Sequence, residues 1–144
     1  GGGIGLAAAV DYAIALESVE IKLSELAIGI GPFVVGPAIE RKIGLSAFTQ
    51  LAIDAAMWRN SDWARRKGLF AELHPDTEVM DESIRRLADT LVHSSPEAMM
   101  EMKKIFWKGT EHWDELLIER AATSGKLVLS EFTKKAIEKF KTKN

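Results

Sequence analysis

Glu25 has the type and context to move protons. It closes the run Ile21-Lys-Leu-Ser-Glu25, and Ile21–Leu23 reads as a short strand. A carboxylate at the end of such a strand projects from a rigid element, as acid/base work requires. Other chemistry-bearing residues are arranged less usefully. His74, His93 and His112 are far apart and lack metal-ligand spacing, so a zinc site is not expected. With no cysteine, thiolate metal sites and a disulfide scaffold are excluded. The start Gly1-Gly2-Gly3 lacks the Lys-Ser/Thr of a phosphate-binding loop and does not match G-x-G-x-x-G. Trp58, Trp63, Trp107 and Trp113 read as packing residues, and so does the Met99, Met100, Met102 cluster.

The elements that must position Glu25 follow from local patterning. Ile4–Val10 is small and apolar on all sides, as in a buried helix. Residues 11–16 alternate like a strand, residues 17–20 turn the chain, and Ile21–Leu23 forms the second strand. The longest uncharged run, residues 26–39, is broken by three glycines and two prolines and reads as a buried loop. A helix from Pro37 stops at Gly44, and another spans residues 46–55. Met57–Arg59 reads as a short extended link. Asn60 caps a helix closed by Gly68, and Leu69–Leu73 reads as a strand before a turn at residues 74–76. The rest reads as helix. Met80, Ile84, Leu87, Ala88, Leu91 and Val92 form one stripe, and Ser95-Pro96 starts a helix that Gly109 stops. Thr110 opens the next helix, ending near Gly125, and a last one covers residues 129–141.

At 144 residues the chain suits one domain or part of one, and 47% hydrophobic content is too much for a disordered chain. The formal charge of −2, from 19 basic and 21 acidic residues, supplies no basic field for nucleic acid. No stretch has the ~20 apolar residues of a membrane span, and no signal segment is visible. Strands this short cannot make an independent sheet and need partners this chain does not supply.

One ordered combination stands out. Gly1-Gly-Gly-Ile-Gly-Leu-Ala-Ala-Ala-Val-Asp11 is followed by Lys22-Leu-Ser-Glu-Leu-Ala-Ile-Gly-Ile-Gly-Pro32, Pro37-Ala-Ile-Glu-Arg-Lys-Ile-Gly44 and Ala64-Arg-Arg-Lys-Gly-Leu69. This resembles the enoyl-CoA hydratase/isomerase (crotonase) family, with its G-G-G-x-x-L-x-x-x-x-D helix, its x-x-E-x-x-x-G segment and its A-x-x-x-G-L-V turn. Phe132 and Phe140 match an aromatic pair in the family's last helix. The resemblance implies an α/β fold, the C-terminal part of a crotonase-like ββα spiral, with two short strands and then mostly helices. Residues 1–75 would belong to the crotonase core and 76–144 to a C-terminal helical trimerisation region. Family members run to roughly 250 residues, in the range of large single α/β domains, so the resemblance also implies a longer enzyme and an inactive fragment.

The chemistry such a site needs is independent of the family. A thioester that adds water or shifts a double bond passes through an enolate-like state, which two backbone N–H groups stabilise at the carbonyl oxygen. Glycine permits the close approach. By resemblance, Gly2 supplies one N–H, Glu25 moves the protons, and Gly1, Pro32 and Phe33 contact the substrate. No metal and no cofactor are implied, since coenzyme A arrives with the substrate. Hydratases of the best-known type carry a second glutamate three residues past the oxyanion glycine, where this chain has Gly5.

Ser24-Glu25, Gly29-Ile-Gly-Pro32 and Pro37 also resemble methylglutaconyl-CoA hydratases, implying hydration of a branched or carboxylated enoyl-CoA in fatty acid metabolism or leucine degradation. A Δ3,Δ2-enoyl-CoA isomerase using Glu25 alone, and a non-catalytic acyl-CoA-binding or assembly subunit, are the alternatives. The expected partners are an acyl-CoA thioester and further copies of the chain in a homotrimer or homohexamer, in the cytoplasm, without nucleic acid or membrane. Residues 133–144 hold five lysines and one glutamate, which could meet the nucleotide end of CoA or a neighbouring subunit.

Overall fold

The computed structural model describes residues 1–141, with side chains through Lys139. The first half interleaves helices α1 (Gly2–Ala8), α2 (Gly36–Ile53) and α3 (Ser61–Arg66) with strands β1 (Ile14–Leu16), β2 (Glu20–Ile21), β3 (Arg59–Asn60) and β4 (Glu72–His74). The second half is helical: α4 (Thr77–Val92), α5 (Pro96–Phe106), α6 (Trp113–Val128) and α7 (Glu131–Lys141). This is the mostly helical α/β arrangement with few short strands that the sequence implies.

The strands form two separate ladders among the described residues. β1 runs parallel to β4, with Ile14 opposite Glu72, and β2 runs antiparallel to β3. Both pairings join segments distant in sequence, which local alternation cannot reveal. The strands therefore differ from the sequence reading. Residues 11–13 and 22–23 lie outside the first two, and the fourth moves from Leu69–Leu73 to Glu72–His74. Leu69 and Phe70 instead insert into the core.

That core is built around α2, whose Ile39, Ile43, Ala47 and Leu51 recur every fourth residue and are buried. Leu23, Ala8, Ala64 and Leu69, all fully buried, surround them. α2 bends at Gly44 (φ 78°, ψ 158°), a backbone state that glycine adopts without strain. The expected stop at Gly44 is thus a kink between two helical stretches.

Two expected caps are present, Asn60 accepting from Trp63 N–H at 2.9 Å and Ser95 Oγ accepting from Ala98 N–H at 3.2 Å, and Asp76, read as part of a turn, caps α4 in the same way. Asp76 therefore starts a helix as well as ending the turn. Thr110 does not cap α6. Its hydroxyl donates back to the Trp107 carbonyl at 2.7 Å, α6 begins at Trp113, and Gly125 lies inside it.

No residue of α4, α5 or α6 is buried. α5 is tied to the end of α1 by Asp11, whose carboxylate accepts from Lys103 Nζ at 2.5 Å and Trp107 Nε1 at 2.6 Å. The hydrogen bond from Lys103 holds the Asp11 carboxyl below its ordinary pKa against the effect of burial. Trp107 meets Trp113 edge-on at 5.9 Å, and Trp63 packs on the core, as expected of packing aromatics. Trp58, Met100 and Met102 depart from that expectation and are largely exposed.

Candidate active site

Glu25 does not end a strand. Ser24 and Glu25 open a single 3-10 turn, Glu25–Ile28, because β2 stops at Ile21 once its pairing with β3 runs out. The turn closes with Gly29 in the left-handed region (φ 81°) and with Ile30 N–H donating to the Glu25 carbonyl at 3.0 Å. Gly29 is also a point of close approach, since a Cβ there would lie 2.4 Å from the Phe132 ring and 2.8 Å from Thr133 Oγ1. Thr133 is fully buried, so α7 presses on the turn that carries Glu25.

Glu25 and the glycine run meet in space. The Gly1 nitrogen donates to the Lys22 carbonyl at 2.9 Å and lies 3.9 Å from Glu25 Oε1. Glu25 Oε2 is buried and has no hydrogen-bond partner among the described residues. An unpaired buried carboxylate oxygen is costly, and it is an acceptor left free for a ligand proton or water.

α1 has no side-chain cap, and its first intrahelical bonds are those from Ile4 and Gly5 N–H to the Gly1 carbonyl. The amides of Gly2 and Gly3 precede that ladder. No heavy atom would come within 4 Å of a Cβ at either residue. They line a cavity of about 600 Å³, together with Gly1, Ile14, Val19, Lys22, Ser24, Trp58, Phe70 and Met80. Glu25 is not part of that lining, but its Oε1 lies 3.9 Å from the nitrogen of Gly1, which is.

Pro32 and Phe33 are placed elsewhere. They line a second pocket of about 150 Å³ with Gly36, Pro37, Glu40, Phe48, Ala52 and Arg120. The structure thus brings together Gly1, Gly2 and Glu25 of the sequence-derived site, and leaves Pro32 and Phe33 on a neighbouring surface. Position 5 is closed. A Cβ on Gly5 would fall 2.6 Å from Val35 Cγ1, so a glutamate there would require Val35 to move.

Sequence reasoning missed Lys22 and Trp58, whose side chains meet at the cavity with the ammonium 4.3 Å from the ring centroid. The available signal was the alternation of Ile21, Lys22 and Leu23: the two apolar residues are buried, and the lysine between them, just past the end of β2, lines the cavity. Among the described residues no group of three or more His, Asp or Glu gathers as a metal site would require. No helix there is long and apolar enough to cross a membrane.

With the geometry of the site described, comparison with known proteins gives the family. The sequence profile described as enoyl-CoA hydratase/isomerase matches residues 1–143, and the chain belongs to that family. A carnitinyl-CoA dehydratase of Salmonella paratyphi A is 31% identical over 106 residues, covering 74% of this chain and 40% of that protein. The crystal structure of an enoyl-CoA hydratase from Mycobacterium avium superposes with a TM-score of 0.89 at 23% identity, covering 99% of this chain and 56% of the other. An enoyl-CoA hydratase from Bacillus halodurans gives 0.85 at 23% identity, over 96% and 55%. The fold is that of these hydratases, and the chain spans about half the length of the proteins it matches.

Proposed function

We propose that the protein carrying this chain hydrates an enoyl-CoA thioester, with Glu25 as the acid/base and the Gly2 amide as one donor to the thioester oxygen. The observation that carries the reading is the meeting of Gly1 with Glu25 at the start of α1, beside a carboxylate oxygen that is buried and unpaired. Enolate-like charge developing at the thioester oxygen would lie at the open amides of Gly2 and Gly3, with the Glu25 carboxylate beside Gly1 to move the protons. Family membership supports an acyl-CoA substrate, and the carnitinyl-CoA dehydratase relative supports addition or removal of water. A methylglutaconyl-type, branched or carboxylated acyl chain is our reading of the Ser24-to-Pro37 pattern. On this reading the site works without a metal or added cofactor, coenzyme A arrives with the substrate, and Pro32 and Phe33 flank the bound thioester. The reading extends to a cytoplasmic enzyme and to a trimer or hexamer joined through residues 76–144.

Replacing Glu25 with Gln keeps the shape and removes proton transfer. Hydration, followed as loss of the enoyl-thioester absorbance, should fall by about 10²-fold or more. Wild-type rates in Glu25→Gln would refute the assignment.

A second reading, isomerisation of a 3-enoyl-CoA, is favoured by Gly5. With Val35 packed over it, the position has no room for a second carboxylate, and moving one proton between two carbons needs a single base. Offering the same enzyme a 2-enoyl and a 3-enoyl thioester separates the two, since only a hydratase yields a 3-hydroxyacyl product from the former.

A further inference from the structure

We propose that Lys22 is the counter-ion for an anionic group of the acyl-CoA ligand, held in position by Trp58. The inference rests on the acyl-CoA reading above and assigns a specificity role to a residue outside its proton chemistry.

Four observations converge on this lysine. Ile21 and Leu23 are 5% and 0% exposed, while Lys22 between them, just past the end of β2, lines the cavity with Gly1, Gly2 and Gly3. The Lys22 carbonyl accepts from the Gly1 nitrogen at 2.9 Å, which locks its backbone to the start of α1. Its ammonium stands 4.3 Å from the Trp58 ring centroid. Among the described residues it forms no ion pair, although Glu20 lines the same cavity.

The chemistry follows from those contacts. An ammonium is a compact, strongly hydrated charge, and placing it against an apolar wall without a carboxylate partner is unfavourable. An aromatic face replaces part of the lost hydration while leaving N–H donors free on the other side. What remains is an ammonium with one side on the Trp58 ring, lining the cavity that exposes the Gly2 and Gly3 amides. An oxyanion on the ligand completes it. Acyl-CoA ligands offer two sources of that oxyanion, a carboxylate at the far end of the acyl chain and the phosphates of coenzyme A.

The experiment uses the whole protein carrying this chain, with crotonyl-CoA (uncharged acyl group), glutaconyl-CoA (terminal carboxylate) and free CoA as a competitive inhibitor. Lys22→Met removes the charge at similar length, and Lys22→Arg restores it. If the acyl carboxylate is the anion, KM for glutaconyl-CoA rises about tenfold or more in Lys22→Met and recovers in Lys22→Arg, while crotonyl-CoA is unaffected. If a phosphate is the anion, both thioesters and free CoA weaken together and recover together. Unchanged constants for all three ligands in Lys22→Met would overturn the proposal. A wild-type protein that neither turns over nor binds any of these compounds overturns the acyl-CoA reading and this inference with it. Turnover that is indifferent to Lys22 overturns this inference alone.

Discussion

Glu72 gathers four partners around one carboxylate: the Ser83 hydroxyl at 2.5 Å, the Tyr12 hydroxyl at 2.6 Å, His74 Nε2 at 2.9 Å and an Arg86 nitrogen at 3.2 Å. The hydrogen bond from Ser83, then those from Tyr12 and His74, lower its pKa from the ordinary 4.5 to about 2. A carboxyl depressed in the folded state contributes stability that is fully present above about 4.5 and is lost as pH falls toward 2. Urea unfolding across that range should show stability falling with pH. Glu72→Gln should flatten the dependence and cost about 1–3 kcal/mol at neutral pH. An unaltered slope in Glu72→Gln would assign the acid sensitivity to other groups. Glu25 and the glycine run were legible in the sequence because their motifs are local and ordered. The partners of Glu72, like the meeting of Lys22 with Trp58, were not, because Tyr12, Ser83 and Arg86 are joined to it only by the packing of α4 against β1 and β4.

Helix α7 owes its position to one glycine. Gly29 lets the Phe132 ring and the buried Thr133 rest directly on the turn that carries Glu25, and Thr133 N–H meets Ser130 Oγ at 3.3 Å as the helix begins. Ending the chain after Ser130 should therefore loosen the turn. The Gly29 and Ile30 amides, which donate to the Leu26 and Glu25 carbonyls, should exchange hydrogen faster, and turnover should fall with them. Unchanged exchange at both amides would show that the turn holds itself. The basic end of α7 is the segment proposed to meet CoA or a neighbouring subunit. Phe140 and Lys141 there are described in backbone only, and Thr142–Asn144 lie outside the described residues. At this scale the sequence showed where helices begin at Asn60 and Ser95, missed the cap at Asp76, and expected one at Thr110 that does not form. It misplaced strand ends because ladder length depends on a partner strand far along the chain.

Taken whole, the molecule is buried at one end and apolar but exposed at the other. Met100, Ile105 and Ile118 are 61%, 71% and 72% exposed, on helices that contribute nothing to the core, and Leu129, just past α6, is 70% exposed. So much apolar surface on α5 and α6 is the kind that symmetric association covers. We expect the whole protein to sediment as a trimer or a multiple of it, and Ile118→Asp to shift that equilibrium toward smaller species. A wild-type monomer at micromolar concentration would refute the assembly. The class of fold was legible from the ordered motifs. The split between a packed core and an unpacked helical arm was not, since the apolar stripe of α4 has the same period whether it is covered or bare.

The parallel pairing of β1 with β4 has a consequence during synthesis. Ile14 leaves the ribosome before its partner Glu72, which follows only after α2 and α3 have been made. Until then β1 lacks its β4 partner and Leu69 and Phe70 are absent from the core, so the nascent chain must stay soluble without this ladder. The order of translation thus makes the short segment from Leu69 to His74 the point at which this fold first becomes able to close.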